Sequence, residues 1–398
     1  MRVGLIAALR DAESGERRAS LMLAGRSVLA WQVALLQSLG VERVLCLCDR
    51  RDREVLQLQH MVEAGGAAFH ALQGFAAIPA LVRSEDDLII LHDGLVPDPT
   101  VVRALVGAGS ELQRMVAGIP SDHPLATTYP EDFERIDAAR HWAGLLVMRG
   151  KPVQQLADFP ADADAISVLL RLALQAGTPC RELTADNLAP ESWLLAESAA
   201  AVVRHEQALI AAAAGPADWR VPSAALAGRL VRALAPRGLV QGGLIAGSVA
   251  LALLAAAVLI AVFGAAFAAL GVAALGSFAA RVSLSYASLS AALRRVEARP
   301  RAGDVLKAGA DLLVAANLWF ALAPWPEWQP LAVLGPLTIG MARLTERSTA
   351  SPVLAIASDR VCLLCALALA TAANLLPEAI ACLALGLLAG LLLRGRVD

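Results

Sequence analysis

Hydrophobic positions follow two different rhythms along this chain, and the change between them divides it. Over the first half, short apolar runs are separated by stretches of helical spacing: a run at residues 2–9, a helical pattern at 27–39, the run VERVLCLC at 41–48, and a helical pattern at 52–63. Gly65-Gly66 and a further helical stretch lead to DDLIILHDG, residues 86–94, a buried strand that ends in His92-Asp93. Strands alternating with helices of this length predict a mostly parallel sheet with helices on both faces. Ligands of such sheets bind at the carboxyl ends of the strands, and Asp93 lies at such an end. Downstream, Asp162 and Asp164 precede an apolar helix as N-caps would, a further helix covers 197–214, and GPADWRVP forms a linker.

The second rhythm begins at Gly238, from which 43 residues pass without an Asp, Glu, Lys, Arg or His. As one helix this run would extend roughly 65 Å, about twice the ~30 Å hydrocarbon core of a bilayer, so it reads as two crossings broken at Gly264. Continuing the pattern gives six crossings, at 239–261, 264–286, 308–324, 329–345, 359–376 and 378–393. Arg294, Arg295, Arg299, Arg301 and Lys307 precede the third crossing, Arg343, Arg347 and Arg360 flank the gap between the fourth and fifth, and Arg394 and Arg396 follow the sixth. The loops PWPEWQP and LLPE carry no basic residue, so the positive-inside rule puts both termini in the cytoplasm of a bacterial-type inner membrane, with Trp325 and Trp328 at the opposite interface. Just before the first crossing, residues 224–234 set Arg229 and Arg232 beside Leu226, Leu230 and Leu234, an amphipathic segment suited to the anionic cytoplasmic surface.

Composition sharpens this division. The chain is 57% hydrophobic with mean hydropathy +0.59, and most of its charge lies before Arg237. The net charge of −2 says nothing about nucleic acid, and no basic, aromatic-rich stretch suggests it, so no nucleic-acid partner is expected. The start, MRVGLIAALRDAE, meets charge too early for a signal peptide, so the first domain is expected to stay cytoplasmic. Six cysteines show no disulfide or zinc framework; Cys46 and Cys48 share one face of a strand, and Cys362 and Cys365 read as small apolar filler of a helix. The histidines form no metal-binding pair.

Over roughly residues 1–190 the layout resembles the sugar-phosphate and alcohol-phosphate nucleotidyltransferases, which have a GT-A type α/β fold. The resemblance is carried by the first strand and its glycine-containing loop, by LMLAGRSVLAWQVALLQSLGVERVLCL, by the HDG turn, and by WAGLLVMRG at 142–150. It implies that Asp93 helps hold Mg2+ beside nucleotide phosphates, with CTP or a CDP-linked compound as the nucleotide. The family loop reads G-x-G-[ST]-R followed by Lys-Pro; here AALRDAESGERRAS offers Gly15, Arg17 and Arg18, and no lysine precedes Lys151. Arg17 or Arg18 would then be the cation that balances the leaving pyrophosphate. Asp93 also fits a plain turn residue after a strand. Glu134, Arg135 and Asp137 precede a strand as substrate contacts or as a solvated loop.

With the spans included, the chain resembles two-domain enzymes of inositol-phosphate compounds, in which a nucleotidyltransferase is fused to a CDP-alcohol phosphotransferase. The second family uses D-x2-D-G-x2-A-R-x8-G-x3-D-x3-D, whose carboxylates clamp two Mg2+ ions on a diphosphate. Here the end of that motif looks like Gly303, Lys307 and Asp311, so only Asp311 keeps its carboxylate. Aligning the Ala-Arg step on Ala280-Arg281 puts Ala273 and Gly276 at the first two aspartates, and aligning it on Ala298-Arg299 puts Ala291 and Arg294 there. Arg281 and Lys307 are therefore candidates to hold a phosphate and Asp311 a candidate catalytic residue; the other reading of Lys307 and Asp311 is an i,i+4 pair at a helix entrance.

These readings divide the chain into a nucleotidyltransferase-like α/β domain at 1–195, a connecting helix, linker and juxtamembrane helix at 196–237, and an all-α six-helix transmembrane domain at 238–398. Two functions stay open. One is an enzyme of phospho- or sphingolipid head-group or phosphodiester synthesis, working with the bilayer, a lipid substrate, and a homodimer mate or partner enzyme. The other is a non-catalytic relative that binds a lipid, a nucleotide or a partner. Inverted repeats that would suggest a transporter are not evident.

Overall fold

The structure is a computed structural model that describes residues 1–107, 112–189, 192–213, 219–235, 239–294, 300–348 and 352–394. Arg295, Arg299 and Arg396 of the arginine pattern, Ala298 of the second motif alignment, and linker residues 215–218 lie outside them. The chain divides into two compact units, Met1–Leu209 and Ile210–Asp398.

The first unit is built on a seven-stranded sheet of β1 (Arg2–Ala8), β2 (Arg43–Cys48), β3 (Ala68–Leu72), β4 (Asp87–Leu91), β5 (Met115–Pro120), β6 (Arg140–Arg149) and β7 (Cys180–Glu182). Their order is β3-β2-β1-β4-β6-β5-β7, and β6 runs antiparallel to both its neighbours while the other pairings are parallel. Period-two alternation sends residues of the central strands to two cores. Ile6, Val44, Cys46 and Ile89 pack under α1 (Val28–Ser38) and α2 (Arg53–Ala64). Leu5, Leu45, Leu88 and Ile90 pack with Leu169 and Leu172 of the helix Ala165–Gln175 on the opposite face. Capping fixes the helix starts: Ser27, Asp52 and Asp164 each accept a backbone N–H from the first turn. Asp164 thus has the N-cap role expected of it.

This order has one functional consequence. The chain steps outward from β1 to β2 and β3, then returns to lay β4 on the other side of β1. The carboxyl ends of β1 and β4 therefore flank a topological switch point, where a crevice opens between diverging connections.

The second unit is helical: α3 (Pro222–Leu234), α4 (Leu239–Val262), α5 (Ala266–Arg294), α6 (Pro300–Ala321), α7 (Leu334–Ser348), α8 (Pro352–Ser358), α9 (Arg360–Ala372) and α10 (Leu376–Arg394). Gly264, at φ +81°, separates α4 from α5, so the glycine break falls where the sequence puts it. Three helices are long and apolar enough to cross a membrane, Gln241–Val262, Ala266–Leu293 and Leu376–Leu393, or four if α8 and α9, bent by 71°, count as one span. A helix also stands at each of the other three expected positions, but α6 carries Asp304, Lys307 and Asp311, and α7 and α9 have 15 and 13 residues. At 1.5 Å per residue these two cover roughly 20 Å, short of the ~30 Å core. α3 buries Ala225, Ala227 and Val231 and exposes Leu226 and Leu230, as an interfacial helix would.

Candidate functional site

At the switch point, β4 passes directly into His92, Asp93 and Gly94. The His92 N–H continues the ladder by donating to Gly144 O at 2.8 Å. Gly94 turns the chain at φ +77°, and a Cβ there would meet Arg18 Cδ at 3.0 Å. Gln32 of α1, itself buried, donates to His92 O and Leu95 O at 2.7 and 2.8 Å and so fixes the turn from below.

Asp93 is 2% exposed. Its Oδ2 accepts the N–H groups of Leu9 and Arg10 at 2.7 and 2.8 Å, which ties the loop after β1 to the end of β4. Its Oδ1 is buried and has no hydrogen-bond partner. Burial pushes the Asp93 carboxyl up to about 6, against the two amide donors and the charges of Arg18 and Arg10. The neighbouring His92, also buried, is pushed down to about 4 by burial and by the Arg10 charge, and its Nδ1 is unpartnered. The His92 ring meets Trp142 edge-on, 5.6 Å between centroids.

A second carboxylate, Asp132, organises the charges around this turn. Its Oδ1 receives Arg10 Nη1 at 2.5 Å and Arg18 Nη1 at 2.7 Å, with His92 Nε2 at 3.8 Å. Burial opposes its ionisation, yet the Arg18 hydrogen bond and the surrounding positive charge hold it below the ordinary carboxylate value. Arg17 faces the other way, paired with Asp49 and, at 3.1 Å, with Asp11. Gly15 forms the turn of the small loop between Asp11 and Arg17, at φ +79°. Gly15, Arg17 and Arg18 thus share one loop after β1, but both arginines are committed to carboxylates.

The crevice beside Asp93 is a cavity of about 340 Å³. Trp142, Phe75 and Leu47 give it apolar walls, and Asp49, Glu134, Asp162 and Asp164 join Asp93 around it, with Arg10 as the one arginine of its lining among the described residues. Glu134 is held there by Ser167 Oγ at 3.0 Å, whereas Asp137 turns back to Arg140 at 2.6 Å. Among the described residues no three His, Cys, Asp or Glu side chains group as a metal site. Asp93 Oδ1 fits a single carboxylate ligand, and Mg2+ commonly takes its remaining ligands from phosphate and water.

The second unit gathers the other sequence candidates around a smaller cavity of about 60 Å³, lined by Ser277 and Arg281 of α5, Lys307 and Asp311 of α6, Arg343 and Glu346 of α7, and Asp359 and Arg360. Asp311 pairs with Arg343 at 2.9 Å and Arg360 at 3.1 Å. Glu346 faces Arg360 at 3.0 Å and Arg281 at 3.6 Å. The i,i+4 pair of Lys307 with Asp311 is not formed: Asp311 turns to arginines of other helices, and no ion pair of Lys307 occurs among the described residues. Asp359 caps α9 by accepting the Val361 N–H and takes both the N–H and hydroxyl of Ser223, at 3.1 and 2.8 Å.

Of the residues the sequence singles out, Asp93 lines the first cavity, Arg281, Lys307 and Asp311 line the second, and Gly15, Arg17 and Arg18 line neither. The sequence does not single out Asp132, Arg10 and Gln32 in the first unit or Glu346 in the second; Asp132 sits in YPEDFERI among three other acids or bases, with no local pattern to mark it.

No protein-family model and no curated protein matches this sequence. Solved structures with a similar arrangement are nucleotidyltransferases over about half of the chain. A protein assigned as a glucose-1-phosphate thymidylyltransferase from Bacillus anthracis is 10% identical, covers 52% of this chain and 94% of its own, and has TM-score 0.38. The inositol-1-phosphate CTP transferase from T. maritima is 16% identical, with 46% and 85% covered and TM-score 0.35. A UDP-glucose pyrophosphorylase from Acinetobacter baumanii is 9% identical, with 52% and 93% covered and TM-score 0.37. At these scores the likenesses carry no argument about what this chain does.

Proposed function

We propose that the α/β unit binds a nucleotide together with Mg2+ in the crevice beside Asp93, and that the chain serves membrane-bound synthesis of a lipid head group or phosphodiester. The observation that carries the reading is Asp93 Oδ1, a buried carboxylate oxygen without a partner, at the switch point of the sheet. The electrostatics support a metal requirement. A triphosphate entering a cavity edged by Asp49, Asp93, Glu134, Asp162 and Asp164, against Arg10, is repelled unless a cation accompanies it. Bound Mg2+ would supply that charge and polarise the phosphates. Leu9 and Phe75 offer apolar surface for a base or sugar ring.

The apolar helices of the second unit support a membrane location, and the arginine asymmetry supports six crossings with both termini cytoplasmic. A non-catalytic binding role is the second reading. It is favoured by one observation: Arg10, Arg17 and Arg18 of the loop are each engaged by carboxylates, so none is free among the described residues for a leaving pyrophosphate. Incubating the purified full-length protein with each nucleoside triphosphate, Mg2+ and a panel of alcohol phosphates, and following pyrophosphate, separates the two. Release that disappears in Asp93→Asn supports transfer. Nucleotide binding without release supports the second reading, and the absence of both rejects the nucleotide site.

A further inference from the structure

We infer that the small cavity of the helical unit is a metal-independent site for a phosphate group, with Lys307 and Arg281 as its principal cations and Ser277 as a hydroxyl donor. Four basic side chains, Arg281, Lys307, Arg343 and Arg360, face three carboxylates, Asp311, Glu346 and Asp359, so the lining holds an excess of positive charge. The carboxylates are not equally available to neutralise it. Asp359 spends its oxygens on the Ser223 and Val361 donors. Asp311 and Glu346 hold Arg360, whose Nη1 also donates to Ser358 O at 2.8 Å.

The other cations keep free donors. Arg343 uses Nη1 alone on Asp311, Arg281 approaches Glu346 only to 3.6 Å, and Lys307 has no ion pair among the described residues. A fourth group points to the same ligand. Ser277 is 8% exposed, lines the cavity, and its Oγ is buried without a partner. Buried polar atoms are normally satisfied, so this hydroxyl and the uncommitted lysine describe an acceptor that the chain itself does not supply. The cavity of about 60 Å³ has room for roughly four to six water-sized groups at about 10–15 Å³ each, which suits the oxygens of one tetrahedral phosphate. Guanidinium and ammonium groups with spare N–H donors are the chemistry that recognises phosphate. Asp311 and Glu346 are already bound to arginines and Asp359 to N–H and hydroxyl donors, so the lining offers a phosphate cations rather than free metal ligands. The inference is independent of the nucleotide reading of the α/β unit.

The site accepts the phosphate of a lipid head group or of a soluble phosphate ester, and one experiment distinguishes them. Inorganic phosphate is titrated calorimetrically into the full-length protein in lipid-free detergent with a chelator present, for wild type, Lys307→Gln and Ser277→Ala. Lys307 has no ion pair among the described residues, so Lys307→Gln is expected to fold, and thermal unfolding is read alongside; Ser277→Ala serves if it does not. Binding that weakens at least tenfold in Lys307→Gln and severalfold in Ser277→Ala supports the site. Repeating the titration with phosphatidic acid added to the micelles then assigns the source: competition points to a lipid phosphate, and its absence to a soluble one. No phosphate binding by wild type, or binding unchanged in both variants, overturns the inference.

Discussion

Arg360 reaches both oxygens of Asp311, from Nε to Oδ1 at 3.1 Å and from Nη2 to Oδ2 at 3.4 Å. This fork ties the start of α9 to the middle of α6, and Arg343 on α7 completes it. Asp311 is therefore a structural centre of the helical unit as well as a wall of its cavity. Asp311→Ala leaves two guanidinium groups without their carboxylate and should cost about 2–3 kcal/mol, at the low end for a buried pair because the partners keep some exposure. Thermal unfolding of the protein in detergent checks this, with Lys307→Gln expected within ~0.5 kcal/mol of wild type.

Asp132 plays the corresponding part in the α/β unit. Replacing it by Asn removes the charge that holds Arg10 and Arg18. The protein should lose about 2 kcal/mol of stability. It should also gain affinity for a nucleoside triphosphate in the absence of Mg2+, since two cations become available beside the crevice. Titration with CTP in a chelator reads this directly; unchanged metal-free affinity would show that the arginines do not reach the nucleotide.

His92 and Asp93 give opposite pH signatures. The Asp93 carboxyl is raised to about 6, so the folded state holds its proton more tightly than the unfolded chain, and this contribution declines as pH rises from about 4 to 6. The His92 imidazole is lowered to about 4, so its contribution is lost as pH falls from about 6.5 to 4. Arg10 and Arg18 face both groups, and Asp132 faces His92. The two slopes offset one another in wild type. In Asp93→Asn, stability measured by denaturant in a chelator should rise with pH across this window, and in His92→Gln it should fall.

Gly94 is required by two constraints at once, φ +77° and the Arg18 side chain 3.0 Å from where a Cβ would stand. Gly94→Ala should destabilise the α/β unit by about 1–2 kcal/mol. It should also disturb Arg18 and so weaken the clamp on Asp132, visible as a shifted Arg18 dependence of unfolding in the double variant.

The alternation of apolar runs and helical patterns gave away β1, β2, β4 and the helices between them because each pattern is local. Asp93 was legible for the same reason: it ends a buried strand. Asp132 was not, since its cations come from Arg10 and Arg18, 122 and 114 residues earlier. Helical spacing offers Lys307 and Asp311 as one possible pair, whereas the bundle brings Arg343 and Arg360 to Asp311 from 32 and 49 residues away. Spacing identifies which side chains share a helix face, and tertiary packing decides which of them become partners. The apolar run broken at Gly264 forms two helices long and apolar enough to cross a membrane, whereas α6 carries charges and α7 and α9 are each shorter than the bilayer core.

If Asp93 holds a nucleotide through Mg2+, calorimetric titration of the full-length protein with CTP and the other nucleoside triphosphates detects it. At least one triphosphate is expected to bind with Mg2+, at least tenfold more weakly in a chelator and at least tenfold more weakly in Asp93→Asn. No binding of any nucleotide, or binding that is the same with and without Mg2+ and unaffected by Asp93→Asn, would contradict it.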